Sequence, residues 1–332
     1  MKTTRILSVA AGRFAVVACV MLGIAFSPLH ASDEQPGPGT EAAEPPPDGP
    51  LYAAPTTVDR VGRIMAPVMV NGMGPFLFIV DTGASRSAIS PRLAAQLRLA
   101  PSFDLPITVQ GSTGSESVPS VLLDTLQAGD IVLEKRRLPI VASQIFADAD
   151  GILGVEGFDG MRITVDFGTD RIRISRNRPA SMAGNWYRVP VRLQFGRLMV
   201  TKAFIGRLPV MAVIDTGAER SLGNLALRNA LRRQNGAERN PADSQVIGAT
   251  ATQQSATTIA SPLIRLGETA LASVDVTYAD LNVFRIWHLV DEPALVIGMD
   301  VLGTARALMF DYRRRELLIR LDGPLLIRKD IG

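Results

Sequence analysis

Two stretches of the chain constrain its fold more than any other. Phe76–Ser87 (FLFIVDTGASRS) runs five apolar residues straight into Asp81-Thr82-Gly83-Ala84, and Val210–Ser221 (VMAVIDTGAERS) does the same with Asp215-Thr216-Gly217-Ala218. Apolar runs of this length, rich in β-branched and aromatic residues, read as strands buried on both faces. Such a strand normally ends at solvent-facing turn residues, whereas here it ends by pushing a carboxylate out of a packed core, twice. Laid over one another, the copies pair Gly72 with Gly206, Pro75 with Pro209, Arg86 with Arg220 and Ser87 with Ser221. That extent of matching reads as an internal duplication. A single Asp-Thr-Gly would be explained as a turn, since Asp bonds its own backbone and Gly accepts positive φ. Two copies in equivalent contexts ask for a chemical reason.

Composition narrows what that chemistry can be. The chain has 332 residues, 47% hydrophobic and 20% charged, which is ordinary globular composition and enough for two modest domains. Lys2, Arg5 and Arg13 precede the apolar run 14–26, and Leu29-His30-Ala31 offers a small-residue cleavage site. Residues 1–31 are therefore expected to be a secretory signal peptide cleaved after Ala31. The apolar run is shorter than a full membrane span, so membrane proximity is expected only through a leader that stays uncleaved. Without residues 1–31 the basic and acidic residues balance at 32 each, and the basicity gives no argument for nucleic acid. The leader also holds Cys19, the sole Cys, and one of the two His residues. What remains, with His288 alone, excludes a thiol enzyme, a disulfide scaffold and a His/Cys zinc site. His288 lies in FRIWHLV with no nucleophile-elbow motif nearby, and reads as a structural strand or loop residue. Carboxylates remain, with no metal and no cofactor expected.

Along the chain, residues 32–57 are rich in Pro, Gly, Glu and Ala without periodicity and read as a flexible linker. A first lobe is expected over 58–178 and a second over 179–332. In the first, strands 64–70 and 76–80 flank a turn at 71–75, and Ser90-Pro91 opens a short helix to about Leu99 as N-cap and first helical residue. Segments 106–110 and 118–123 read as a hairpin whose small-residue tip is Gly111-Ser112-Thr113-Gly114-Ser115. Strands are expected at 131–133 and 138–142, and 163–167 with 171–174 reads as a hairpin closing the lobe. The second lobe repeats the order, with strands 187–193, 198–204 and 210–214, a helix at 225–233, a second flexible tip around Gly248, and a closing hairpin 308–312 with 317–321. Arg313–Arg315 and Lys135–Arg137 read as exposed turn or strand-edge residues. Each lobe is then mostly short strands with one brief helix.

If the lobes pack about a pseudo-twofold axis, the motif strands deliver Asp81 and Asp215 to one place. Two adjacent carboxylates cannot both ionise comfortably, so they share one proton and titrate as a unit. The ionised partner takes a proton from water while the protonated one gives its proton to a carbonyl oxygen. Thr82 and Thr216 are placed to bond across the axis, and Gly83 and Gly217 to let backbone N–H groups hold the inner oxygens.

These features resemble the aspartic proteases of the pepsin and retropepsin type. The resemblance runs from about residue 58 to 321 and rests on Asp-Thr-Gly-Ala at 81–84 and 215–218, with the apolar-apolar-Gly segments Ile152-Leu153-Gly154 and Val296-Ile297-Gly298. It implies an all-β, two-lobed acid-protease fold, an Asp81/Asp215 dyad in one chain and an expected active monomer. It also implies a hairpin flap near Gly111–Ser115, with a second near Gly248. Ala after Asp-Thr-Gly is the retroviral form, two fused lobes are the pepsin arrangement, and the first flap lacks the Tyr that pepsins carry. The implied substrate is an extended polypeptide in the periplasm or cell envelope. Two other readings stand beside an aspartic endopeptidase: a catalytically silent peptide-binding or regulatory module on the same fold, and an envelope structural protein tethered by its linker. Without the hydroxyl that pepsins place after Asp-Thr-Gly, Ala84 and Ala218 imply an optimum in the weakly acidic to near-neutral range.

Overall fold

Short apolar runs broken by Gly, Pro and Asn give an all-β chain of two lobes. The computed structural model describes residues 62–176 and 185–321, apart from 143, 251, 268, 272 and 273, together with short strands at 14–16, 20–21 and 53–55. Three sheets carry the fold. The first lobe's sheet is ordered 102–111, 115–128, 65–70, 73–80, 151–153, 88–89, with 131–139 bonded to 115–128. The second lobe's sheet runs 242–247, 253–260, 275–278, 222–223, 294–297, 208–214, 198–205, 264–266, 269–271, with 192–194 bonded to 198–205. The third sheet takes strands from both lobes, in the order 186–190, 316–320, 307–311, 161–166, 171–176, 53–55.

The lobes repeat one local arrangement around each motif strand. Met73–Val80 runs parallel to Gly151–Leu153, which also pairs antiparallel with Ala88–Ile89. Leu208–Ile214 runs parallel to Ala294–Ile297, which pairs antiparallel with Leu222–Gly223. Phe78, Ile79, Val80, Ala212, Val213 and Ile214 are buried, and each large aliphatic or aromatic chain among them contributes about 1.5–3 kcal/mol. Burial on both faces holds only for these ends. Leu77 is exposed, because the strand's start lies in the hairpin with Met65–Val70 rather than under the lobe.

Helix α1, Pro91–Gln96, starts as expected: Ser90 Oγ accepts the Leu93 N–H at 3.1 Å and Pro occupies the first turn. Helix α2, Leu225–Asn235, is capped by Asn224, whose Oδ1 accepts the Leu227 N–H at 2.8 Å, and stops at Gly236 with φ +77°. Two further helices, α3 (Asn282–Ile286) and α4 (Met299–Leu302), correct the expectation of one helix per lobe. The FRIWHLV stretch thus begins as the end of α3, and His288 is an exposed turn residue at φ +57° after it. No helix among the described residues is long and apolar enough to cross a membrane.

Other expectations change in detail. The separate strands at 131–133 and 138–142 are one edge strand, Ile131–Pro139; its charged middle, Glu134–Arg136, is exposed, so charge did not break it. Residues 187–193 are two strands in different sheets, Trp186–Pro190 and Arg192–Gln194, divided at Val191. The two closing hairpins do not close separate lobes; they pair with each other through 161–166 and 307–311. The end of the expected linker, Ala53–Pro55, forms a strand against Arg171–Arg173. The leader cleavage point at Ala31 and the rest of the linker lie outside the described residues.

The shared sheet holds a buried ion pair. Arg162 stands opposite Asp311 in register, and its Nη2 lies 2.9 Å from Asp311 Oδ2 with both side chains buried. Asp311 Oδ1 also accepts the Arg314 N–H at 2.9 Å, tightening the turn at 312–315. Removing one partner strands the other charge without water. Arg162→Met is expected to lower stability by about 3–5 kcal/mol in urea unfolding, and Arg162→Met with Asp311→Leu to recover much of that loss.

Candidate active site

Each motif strand ends on its Asp, and the chain turns sharply behind it. The Asp81 N–H donates to Leu153 O at 3.1 Å and the Asp215 N–H to Ile297 O at 3.0 Å. The apolar-apolar-Gly segments therefore fix where each Asp leaves its sheet. Gly154 and Gly298 are required there: a Cβ on Gly154 would stand 2.4 Å from Arg86 C, and one on Gly298 2.7 Å from Arg220 C.

The two loops meet between the lobes. The Thr82 N–H donates to Thr216 Oγ1 and the Thr216 N–H to Thr82 Oγ1, each at 3.0 Å. Each hydroxyl then donates onward across the interface, Thr82 Oγ1 to Ile214 O at 2.9 Å and Thr216 Oγ1 to Val80 O at 2.5 Å. Four reciprocal bonds, all buried, lock one loop to the other. The Gly83 N–H donates to Asp81 Oδ1 at 2.8 Å, and the Gly217 and Ala218 N–H groups donate to Asp215 Oδ1 at 2.9 and 3.0 Å. A Cβ on Gly83 would lie 2.3 Å from Asp215 Cγ, and one on Gly217 2.3 Å from Asp81 Cγ. Each carboxylate thus rests on the backbone of the opposite loop, where only Gly leaves room.

Both Asp side chains are completely buried, which corrects the picture of carboxylates pushed out of the core. Burial, followed by the neighbouring Asp215 charge, holds the Asp81 carboxyl well above the ordinary carboxylate range. The Gly83 N–H bond and the buried guanidinium of Arg63 oppose that rise without cancelling it.

The two sequence-predicted flaps meet each other. Ser102–Gly111 with Ser115–Ala128 forms the first hairpin, and Ala242–Ile247 with Gln253–Ala260 the second. Their tips touch: Thr113 Oγ1 lies 3.2 Å from Thr250 Oγ1, and a Cβ on Gly248 would stand 2.4 Å from Ser112 Oγ. Gly111 and Gly114 keep the first tip tight through a Gly111 N–H bond to Gly114 O at 2.7 Å. Asn282, on α3, donates from Nδ2 to Gly111 O at 3.2 Å, so the second lobe also holds the first flap.

A second layer escaped sequence reasoning. Ser87 Oγ accepts the Gly154 N–H at 3.1 Å while the Ser87 N–H donates to Glu156 Oε1 at 2.9 Å. In the other lobe Ser221 Oγ accepts the Gly298 N–H at 3.1 Å and donates to Asp300 Oδ1 at 2.7 Å, and the Ser221 N–H donates to Asp300 Oδ2 at 2.9 Å. The signal was present: Ser87 and Ser221 match in the repeat, and an acidic residue stands two positions after each Gly of the apolar-apolar-Gly segments. Among the described residues no cluster of three or more His, Cys, Asp or Glu is arranged to hold a metal ion.

Residues 66–156 match the model of the aspartyl protease family. This match covers the first lobe from the motif strand's hairpin through Glu156, and it supports an aspartic protease family and protease activity in general. No curated protein matches the chain.

A buried acid with a raised pKa favours folding only while it is protonated. Its contribution is complete below the ordinary carboxylate range and is lost as pH rises through the folded-state value. Asp81→Asn, neutral throughout, is therefore expected to flatten the fall of Tm with pH. At neutral pH it should melt at least about 2 °C above the wild type by calorimetry. Parallel Tm curves would show that Asp81 carries no raised proton affinity.

Proposed function

We propose that this protein is an aspartic endopeptidase whose dyad is Asp81 and Asp215. The observation that carries the reading is the pair of fully buried carboxylates, each held through Oδ1 by backbone N–H groups and seated on the other loop's glycine. With Oδ1 so occupied, a shared proton belongs on the Oδ2 side. In this reading one carboxylate, ionised, takes a proton from a bound water, whose oxygen attacks the peptide carbonyl carbon. The other gives its proton to the carbonyl oxygen. The resulting gem-diol collapses as one hydroxyl returns its proton to the carboxylate that had given one, the C–N bond breaks, and the proton taken from water passes to the leaving nitrogen. No covalent enzyme intermediate is required. The Thr82/Thr216 lock supplies the rigidity, since a carboxylate misplaced by about 1 Å costs on the order of 10²-fold in rate.

The substrate proposed is a polypeptide bound as an extended strand under the two flaps. Both Asp residues come from one chain, which supports an active monomer. Export to the periplasm or envelope, with cleavage after Ala31, is proposed on the basic-then-apolar leader.

Asp81→Asn and Asp215→Asn are each expected to abolish cleavage of casein with the fold retained by circular dichroism, and specific activity is expected to stay constant on dilution. Activity in either variant would overturn the dyad. The raised Asp81 proton affinity supports a weakly acidic to near-neutral optimum, and Ala84→Ser with Ala218→Ser is expected to move the alkaline limb to lower pH. Activity confined below about pH 3 would contradict this assignment.

A further inference from the structure

Away from the dyad, one strand edge of the second lobe is interrupted. Leu198–Ile205 is bonded by Leu208–Ile214 on one side. On the other side Arg192–Gln194 covers only Leu198–Val200, and Ile264–Leu266 covers only Ala203–Ile205. Thr201 and Lys202 fall in the gap between those two strands. Thr201 turns its hydroxyl to Pro190 O at 2.8 Å, where the chain crosses over from the shared sheet. A cavity of about 790 Å³ opens there, a volume that suits a small-molecule pocket. Its walls are mainly apolar: Val189, Val200 and Val210 are buried, while Met211 and Pro293 show part of their surface. Met211 stands four residues before Asp215 on the motif strand, about 13 Å along it. None of the lining residues belongs to the dyad loops or the flap tips.

Charge around this cavity is one-sided. Register places Arg192 opposite Val200 and Arg265 opposite Phe204, and Lys202 stands midway between those two positions. Alternate residues of a strand share a face, so the three cations share one face along about 14 Å of strand. All three are exposed, and among the described residues none is ion-paired. Lys202 Nζ and the Arg265 guanidinium also flank the Phe204 ring, 5.5 and 5.0 Å from its centroid. Arg192 and Lys202 line the cavity itself, and Glu292 is the one acid among its lining residues. A cation on an edge strand commonly guards against unwanted pairing. Guarding, however, needs no apolar pocket beside it, and grouped like charges are relieved only when an anion lies among them.

We propose that this cavity binds a single-chain amphipathic anion. Its phosphate monoester head sits among Arg192, Lys202 and Arg265, and its apolar chain lies over Val189, Val200 and Met211. Guanidinium groups take phosphate oxygens through paired, parallel bonds. A nearly dianionic head also answers three cations better than a single carboxylate does. The site is independent of the peptidase reading, since it uses neither the dyad nor the flaps.

The test is amide NMR and titration calorimetry on the full chain, with octyl phosphate as the probe, held below its micelle concentration. Amide shifts are expected at 189, 191–194, 200–202 and 211, with 81–84 and 215–218 unmoved. Arg192→Glu with Lys202→Glu is expected to weaken binding at least about tenfold, because charge-assisted bonds are lost. Both changes fall at exposed positions, and circular dichroism checks that the fold is kept. Inorganic phosphate, which lacks the chain, and octanol, which lacks the charge, are each expected to bind at least about tenfold more weakly. Shifts centred on 81–84, 215–218 or the flap tips would put the amphiphile in the dyad cleft and overturn the proposal. Equal affinity for inorganic phosphate, or undiminished binding by the charge-reversed variant, would overturn it too. Binding to phosphatidylglycerol vesicles without binding to free octyl phosphate would replace it with surface attraction to a membrane.

Discussion

The structure depends on the reciprocal bonding of two threonines. Thr82 and Thr216 each donate a backbone N–H to the other's hydroxyl, and each hydroxyl donates in turn to a backbone carbonyl of the opposite motif strand. All four groups are buried, so every bond left unmade would cost about 1–3 kcal/mol. The lobes can therefore meet in one register only. That register sets Gly83 beneath Asp215 and Gly217 beneath Asp81, and so brings together two carboxylates that repel when both are charged.

The rest of the fold counters that repulsion. Behind each loop, a Ser ties the apolar-apolar-Gly segment to the motif, and an acid, Glu156 or Asp300, holds the Ser in turn. Below, the shared six-stranded sheet joins the lobes covalently distant from the motifs but adjacent in space, with Arg162 and Asp311 at its centre. Around the pair, burial raises the proton affinity of Asp81. The tips bear small hydroxyl residues, Ser112, Thr113 and Thr250, in place of a large aromatic, and they contact each other. Two similar lobes supply the two tips that meet.

Much of this was legible in the sequence because the motif appears twice. The apolar runs located the motif strands, Ser90-Pro91 located α1, and the Gly-Ser-Thr-Gly tip located the first flap. The failures have a common cause in contacts between distant segments. Glu134–Arg137 reads as a break, yet an edge strand tolerates exposed charge. The 187–193 run looks like one strand, but only the sheets on either side of Val191 decide that it is two. The closing hairpins look local because nothing in 161–176 announces a partner near 307–311. Burial of the two carboxylates was illegible for the same reason, since each is packed against the glycine of a loop more than a hundred residues away. Glu156 and Asp300 are legible only as matched acids two positions past matched glycines, a signal that the repeat carries outside its Asp-Thr-Gly-Ala motif.

The proposed chemistry requires that Asp81 and Asp215 form one proton-sharing pair within a single chain. The most direct measurement is a carbon-13 NMR titration of the Asp side-chain carboxyl resonances at protein concentrations low enough to exclude dimers. Two resonances should respond to both of two well-separated titration steps, the upper step lying clearly above the ordinary carboxylate range, and Asp81→Asn should leave the Asp215 resonance with a single step. Two resonances titrating independently, each within the ordinary range, would contradict the account.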